Sequence, residues 1–459
     1  MQQSPLAHFF EDFAKSLEGP AVIERLRDGL VGAGMEIETP FGRKKMIYAD
    51  YVASGRALMQ IERAILEQVL PYYANAHTED SCCGHAMTSL REAGRQIVGN
   101  ACGATNDHAV IFCGAGATAG LNKAVALLGV PSALAAGQRV VVLVGPYEHH
   151  SNLLPWRDSG AKVIEVAEAG KGGVDLDDLR RQLTAAKGAL IIGAFSAASN
   201  ITGICTDVVA VTRLLKSHGA LSVWDYAGGG PYIPISMAPA PGVEIDVIVT
   251  SPHKFIGGPG ASGVMIIRRD ALKMTRPTMP GGGTVRFVNK DVHDYLDDPI
   301  AREEAGTPNT LADIRAALVF LVKDAIGGAM QLRNAELAVR AFAKLGNIPG
   351  LTILAADHQN RLPIISFLMA DGDGGWVVPG ITAQMLSDKY GIQVRGGCAC
   401  AGPYAHKLLA ITDDESRQLR TAILAGNLKK KPGFVRFNLS VLMQDETVDF
   451  ILNSIAREA

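Results

Sequence analysis

Cysteine is scarce: seven in 459 residues. They lie at 82, 83, 102, 113, 205, 398 and 400, an odd and irregular set that excludes a disulfide framework, so a reducing cytoplasmic compartment is expected. A dominant charge is lacking too. The 44 Lys and Arg stand against 46 Asp and Glu, a net charge of −2, and no global field exists to hold a nucleic acid or an anionic membrane surface. Neither partner is expected. Long apolar runs are missing: the uncharged stretch of near-membrane length, residues 188 to 206, contains Ser196, Ser199, Asn200, Thr202 and Gly203. It reads as a buried strand entering a polar loop. The N-terminus has no basic segment followed by an apolar one, so no secretion signal is expected. Internal repeats and low-complexity tracts are absent as well.

What is present suits a ligand-binding α/β enzyme. Hydrophobic residues make up 48% and charged residues 20%, enough to bury a large core. The 50 glycines exceed the usual ~7% without a Gly-X-Y period, which points to tight turns and close backbone approaches to a ligand. Apolar residues at helical spacing, Leu6, Phe9, Phe10, Phe13 and Leu17, predict an opening amphipathic helix within an N-terminal helical segment, residues 1–47. Seven short apolar runs with helices between them follow: Ala109–Cys113, Arg139–Val144, Lys162–Val166, Leu190–Phe195, Leu221–Trp224, Asp246–Thr250 and Gly263–Ile267. They predict a mostly parallel, seven-stranded, doubly wound sheet in a large domain, residues 48–290. Periodicity fails across Met279–Thr310, a crossing segment. Then come a long helix from Leu311 towards Leu345, kinked at Gly327-Gly328, short strands, a helix at Ile381–Tyr390 and a closing helix from Glu446. These make a smaller C-terminal α+β domain, residues 291–459.

In open parallel sheets a ligand sits beyond the carboxyl ends of the strands. After the first run comes Gly114-Ala-Gly-Ala-Thr118-Ala-Gly-Leu-Asn122, a glycine-rich turn opening a helix, whose free N–H groups suit a phosphate. Glu148-His149-His150-Ser-Asn152, Ser199-Asn200, Asp225 and Ser251-Pro-His253-Lys254 follow later runs. Taken singly, each has a plainer reading. The turn also fits helix packing or a nicotinamide site, Asp225 an N-cap, His149 a hydrogen-bond partner and Lys254 a solvated amine. Together, a phosphate cradle, a histidine, an asparagine, an aspartate and a lysine at neighbouring strand ends are the needs of pyridoxal 5′-phosphate. The lysine would carry the cofactor, and the aspartate would keep its ring nitrogen protonated.

Ten ordered motifs carry a resemblance from about Tyr48 to the C-terminus: Tyr48-Ala-Asp-Tyr-Val-Ala-Ser54, Asn75-Ala-His77, Gly116–Asn122, Glu148–Trp156, Ser199-Asn-Ile-Thr-Gly203, Asp225-Tyr-Ala227, Ser251–Lys254, Gly281-Gly-Gly-Thr284, Glu304–Thr310 and Arg395-Gly-Gly-Cys-Ala-Cys400. The chain resembles the class V aminotransferase superfamily of fold type I, and within it the cysteine desulfurases and selenocysteine lyases. The resemblance implies that Lys254 holds the cofactor, Asp225 pairs with its ring nitrogen and His149 stacks on its face. It places Asn200 near the phenolic oxygen and gives phosphate to Ala117, Thr118, Ser251 and His253. Thr284 would reach a neighbouring subunit's phosphate, which implies a homodimer. Arg395 would clamp the substrate carboxylate bidentately. Cys400 falls where the desulfurase nucleophile stands.

The chain departs from the pattern in two places. Many relatives have Gln three residues after the aspartate where this chain has Gly228, so a hydrogen bond to the phenolic oxygen is expected to be missing. Cys82-Cys83 lies outside the matched motifs and reads as inert packing, a redox pair or an extra sulfur relay. Cys398 and Cys400 lack the second Cys-x-x-Cys pair of a zinc site, and no metal is expected. The implied activity is a C–S lyase that takes L-cysteine to L-alanine with a persulfide on Cys400, for delivery to a sulfur-acceptor protein. An aminotransferase, an epimerase or a selenocysteine lyase keeps the cofactor and leaves Cys400 incidental. A degenerate scaffold is disfavoured by the retained Lys254 and Asp225, and a dehydrogenase would need Glu148 as its acidic ribose ligand.

Overall fold

The apolar runs assemble into one sheet because they are apolar on both faces. In a computed structural model, every residue is described except 1–3, 77, 359 and 428–430. Strands β1 (His108–Phe112), β2 (Val140–Val144), β3 (Lys162–Glu165), β4 (Leu190–Ser196), β5 (Leu221–Asp225), β6 (Val247–Thr250) and β7 (Val264–Arg268) form a seven-stranded sheet in the order β1-β7-β6-β5-β4-β2-β3. Along β2, Val140, Val142 and Val144 enter the core on one face and Val141 and Leu143 the core on the other, as in sheets covered by helices on both sides. Strand β7 is antiparallel to both β1 and β6, whereas the other pairings are parallel. Trp224 of β5 is fully buried and donates its indole N–H to Thr212 Oγ1 at 2.9 Å. Truncating such a side chain to alanine costs ~3–5 kcal/mol.

Helix α1 (Phe9–Leu17) buries Phe9, Phe10, Phe13 and Leu17. Its aromatic face lies against α2 (Cys82–Ala101), where a Cβ on Gly94 would stand 3.3 Å from Phe10. The N-terminal segment is not wholly helical: Glu36–Ile37 and Lys44–Lys45 pair as a short hairpin. Helix α3 (Gly116–Leu127) follows β1. The crossing segment contains a second hairpin, Val285–Val288 with His293–Tyr295, and a short helix, Pro299–Glu303.

The long helix expected from Leu311 is two, α4 (Thr310–Ile326) and α5 (Gly328–Leu345), broken at Gly327 with φ 52° and ψ −136°, a conformation only glycine adopts readily. Helix α4 lies on the small-domain side of the expected division at residue 290, yet it packs against α2 within the large-sheet core. From α5 onward, Leu337, Ala341 and Leu345 join a second core with β8 (Leu351–Ile353), β9 (Ile364–Met369), β11 (Phe434–Asn438) and the closing helix α6 (Asp445–Glu458), and β10 (Arg395–Gly397) pairs alongside β11. This smaller sheet is antiparallel in the order β8-β9-β11-β10. No described helix is long and apolar enough to cross a membrane.

Candidate active site

The carboxyl ends of β4, β5 and β6 meet the small sheet around a cavity of ≈ 220 Å³. Asp225 ends β5, fully buried, and its Oδ1 accepts the Ala227 N–H at 2.8 Å. Burial raises its pKa, opposed by that bond and by Lys254. Beyond β6, a single 3-10 turn, Pro252–Lys254, returns Lys254 into the cavity. Burial lowers the pKa of its amine against the pull of Asp225, and Arg436 and Arg395 lower it further. A buried amine that deprotonates easily can take a proton as well as carry a carbonyl group.

The glycine-rich turn lies at one end of the cavity. Gly114 and Gly116 adopt φ of 66° and 65°, and a Cβ on Gly116 would come within 2.9 Å of both His253 and Ser251 Oγ. The Ala117 N–H donates to Ser251 Oγ at 2.9 Å, and Thr118 Oγ1 meets Ser151 Oγ at 2.7 Å. Hydroxyls and N–H groups at the start of α3 form an anion cradle. Burial lowers the His253 pKa, with Lys254 adding to the effect.

His149 is set by the residue before it. The buried Glu148 accepts from the Ser196 N–H at 2.8 Å, from Ser196 Oγ at 2.7 Å and from Asn152 Nδ2 at 2.5 Å. Burial nonetheless pushes its pKa up to about 7. The His149 Nδ1 accepts the Ser151 N–H at 3.1 Å. Burial, and then Lys254, lower its pKa to about 4, so the ring is neutral and apolar in character at neutral pH.

At the opposite end two arginines share one carboxylate. Register pairs Arg395 of β10 with Arg436 of β11, and both reach Asp50: Arg395 Nε to Oδ2 at 2.9 Å, Arg436 Nη2 to Oδ1 at 2.7 Å. Arg436 is buried, and its Nε has no partner among the described residues. Asp50 belongs to a segment fixed at both ends. Ile47–Tyr48 pairs with Ile392–Gln393, the Val52 N–H donates to Asn438 Oδ1, the Gly55 N–H donates to the His253 carbonyl at 3.0 Å, and the Gly257 N–H donates to the Arg56 carbonyl at 2.8 Å. A Cβ on Gly55 would fall 1.8 Å from the Phe255 carbonyl oxygen.

The residues expected at the site converge. Lys254, Asp225, His149, Asn200, Ala117, Thr118, Ser251, His253, Arg395 and Cys400 all line the cavity. Thr284 does not line it: it is buried in its own loop, and its Oγ1 donates to the Gly281 carbonyl at 2.7 Å. His77 lies outside the described residues. Gly228 sits close to the neighbouring turn, where a Cβ would stand 3.2 Å from the Ala198 carbonyl oxygen. Three contributors were not anticipated: Arg436, Asp50 and Ser151. Ser151 was within reach, two residues after the histidine. Arg436 hides in the apolar run Phe-Val-Arg-Phe, and only its cross-strand register reveals it.

The arrangement fits pyridoxal 5′-phosphate. An anion cradle, a buried carboxylate and a buried amine line one cavity, and two buried polar atoms, Asn200 Oδ1 and Arg436 Nε, lack partners among the described residues. The chain belongs to the class V aminotransferase family, whose model (Aminotransferase class-V) matches residues 47–451. Membership implies a pyridoxal-phosphate-dependent enzyme. Among particular relatives, probable cysteine desulfurase 2 of Mycobacterium leprae (strain TN) is 29% identical over 383 residues, covering 81% of this chain and 86% of that protein. Cysteine desulfurase CsdA of Escherichia coli (strain K12) is 28% identical over 368 residues, covering 78% and 86%. The apo structure of cysteine desulfurase from Thermococcus onnurineus NA1 shares the fold, with a TM-score of 0.72 at 24% identity over 100% of this chain and 98% of that one.

Proposed function

We propose that this chain is a pyridoxal-phosphate-dependent cysteine desulfurase that converts L-cysteine to L-alanine and keeps the sulfur as a persulfide on Cys400. One observation carries the reading: a buried lysine and an exposed cysteine line the same small cavity. Ala117, Thr118, Ser251 and His253 would hold the cofactor phosphate, Asp225 its ring nitrogen, Asn200 its phenolic oxygen and His149 its face. Bound there, the cofactor supplies an electron sink for charge developing at the substrate Cα. Lys254 would anchor the cofactor, and its buried amine would take the Cα proton of the substrate. Arg436 and Arg395 grip the α-carboxylate, two planar donors opposite a planar acceptor.

Cys400, as thiolate, attacks the substrate sulfur. The S–Cβ bond breaks with its electrons going to carbon, the proton given up when Cys400 ionised is made good on Cβ, and Lys254 returns its proton to Cα, which completes alanine. The sulfur leaves as Cys400 persulfide, so no external oxidant or reductant enters. A thiol acceptor protein would then take it. We infer a cytoplasmic homodimer in which the loop of Thr284 opens on contact with the partner, releasing its hydroxyl from the Gly281 carbonyl to complete the partner subunit's phosphate site. The exposed Phe287, Val288 and Val292 on the adjoining hairpin support that contact, and a fully active monomer in sedimentation would remove it.

The deciding experiment is a single turnover of the reconstituted protein with L-cysteine. Alanine and protein-bound persulfide should appear in equal amounts. No alanine from cysteine, with conversion of the cofactor to pyridoxamine phosphate by another amino acid, would replace this reading with an aminotransferase.

A further inference from the structure

Cys400 stands on a loop whose one internal hydrogen bond, from the Ala401 N–H to the Cys398 carbonyl, is long at 3.3 Å. Ala399 and Cys400 have φ of 49° and 55°, two consecutive non-glycine residues in the left-handed region, where the Cβ crowds the backbone. Such a conformation persists only when its surroundings impose it. Three hydrogen bonds do so here. Asn200 Nδ2 donates to the Ala399 carbonyl at 2.8 Å, and the His150 backbone N–H donates to the Cys400 carbonyl at 2.8 Å. The third bond reaches the far side of the cysteine, where the Gly402 N–H donates to His150 Nε2 at 2.9 Å. His150 therefore grips the loop twice, at the Cys400 carbonyl with its backbone and at Gly402 with its ring. Gly402 permits the grip, since a Cβ there would already stand 3.1 Å from Nε2.

The ring bond depends on the protonation state. A neutral imidazole accepts at Nε2 when its proton is on Nδ1, but an imidazolium carries a proton on both nitrogens and meets the Gly402 N–H donor to donor. We propose that His150 is the positioning residue of the nucleophile loop: its neutral ring holds Cys400 for attack on the substrate sulfur, and its protonation loosens the loop by removing the one of the three bonds that titrates. This rests on the reading of Cys400 as nucleophile. The charged groups facing His150 are cationic, Arg157 from the helix Leu154–Asp158 and Lys431 from the segment before β11. His149, already neutral, lies 6.1 Å away ring to ring. Burial and the two cations lower the His150 pKa, so the grip is intact at neutral pH and is lost below the usual imidazole range.

The arrangement suits a sulfur carrier. A nucleophile that must meet a sulfur inside a cavity and then hand it to an acceptor outside needs one held position and one released position. His150 also follows directly on His149, so the histidine that lines the cavity and the histidine that holds the loop share one short turn.

Backbone amide exchange in the full-length, cofactor-loaded protein tests this, read on a peptide spanning Gly397–Tyr404 and corrected for intrinsic rates, at neutral pH and in steps well below the usual imidazole value of ~6.5. Wild-type exchange at Gly402 should rise roughly five- to tenfold on acidification, the value of one net hydrogen bond. His150→Leu should exchange at the fast rate at every pH. His150→Gln, whose carboxamide oxygen accepts and does not titrate, should stay slow throughout. Persulfide formation in a single turnover should slow in His150→Leu and recover in His150→Gln, with the substrate-induced spectral change intact in each. Wild-type exchange in His150→Leu would overturn the grip, and so would an acid-side rise retained by His150→Gln. Slow exchange lost in His150→Leu with persulfide formation unmoved would overturn the positioning role. A protein that yields no alanine from L-cysteine fails the functional reading instead, and the exchange still decides the grip.

Discussion

Replacing Asp50 by alanine takes the shared carboxylate from two arginines of unequal exposure. The Arg395 side chain is 49% exposed and that of Arg436 is 3% exposed. Water re-solvates the first, so its pair contributes only ~0–1 kcal/mol. The second is left as a buried charge whose remaining bond among the described residues is to the Asn200 carbonyl, through Nη1 at 3.0 Å. Breaking a buried pair from one side costs ~3–5 kcal/mol because the desolvation of the survivor is no longer offset. Asp50→Ala should therefore shift the unfolding equilibrium of the apoprotein roughly a hundred- to several-thousandfold. Removing both charges in Asp50→Ala/Arg436→Met should cost much less than the two single changes summed, a coupling of ~2–3 kcal/mol. Urea unfolding followed by far-UV circular dichroism measures all four proteins. If Asp50→Ala lies within ~1 kcal/mol of wild type, or the two changes add, Asp50 is not the partner that holds the arginines.

Cys400→Ser should keep the spectral response to L-cysteine while alanine falls to below about a hundredth, because a hydroxyl cannot become a persulfide. Cys398→Ser should keep most activity, and the reverse pattern would move the nucleophile. Borohydride treatment of the reconstituted protein should leave a pyridoxyl group on the peptide containing Lys254, and finding it on another lysine would sink that assignment. For His149 the folded pKa is about 4 against an ordinary 6.5. As pH falls between these values the unfolded chain takes up a proton that the folded one refuses, so stability drops by ~3 kcal/mol across that window. His149→Phe should flatten that slope in apoprotein unfolding, and an unchanged slope would mean the ring is not held neutral.

The seven strands were legible because each is apolar on both sides and bounded by glycine or polar residues. Their directions were not: nothing in Val-Met-Ile-Ile-Arg tells β7 that it runs against β1 and β6, since direction is set by the connections. The break at Gly327-Gly328 was visible as a pair of weak helix formers. Residues at strand ends were legible wherever chemistry and position coincide, as for Asp225 and Lys254. Arg436 was not, because an arginine inside an apolar strand gives no local sign of which face it takes. Asp50 belongs to the motif Tyr48–Ser54, yet its role exists only once Arg395 and Arg436 arrive from a distant part of the chain. The same holds for the His150 grip on Gly402, which depends on a tertiary contact across 252 residues.

The segment from Ile47 to Arg56 has a consequence for the order in which the protein comes into being. It is made early, yet the strand that engages Asp50 and Val52 comes last: Arg436 and Asn438 each meet their partners across 386 residues of chain. A nascent chain thus holds the lysine turn and all seven strands of the large sheet long before it owns the buried arginine. Contacts so distant form slowly, because the loop between them must close first. Chains halted short of β11 would carry the lysine and the cradle without the arginine pair, so the ability to grip an amino acid arrives only with the final elements of the fold.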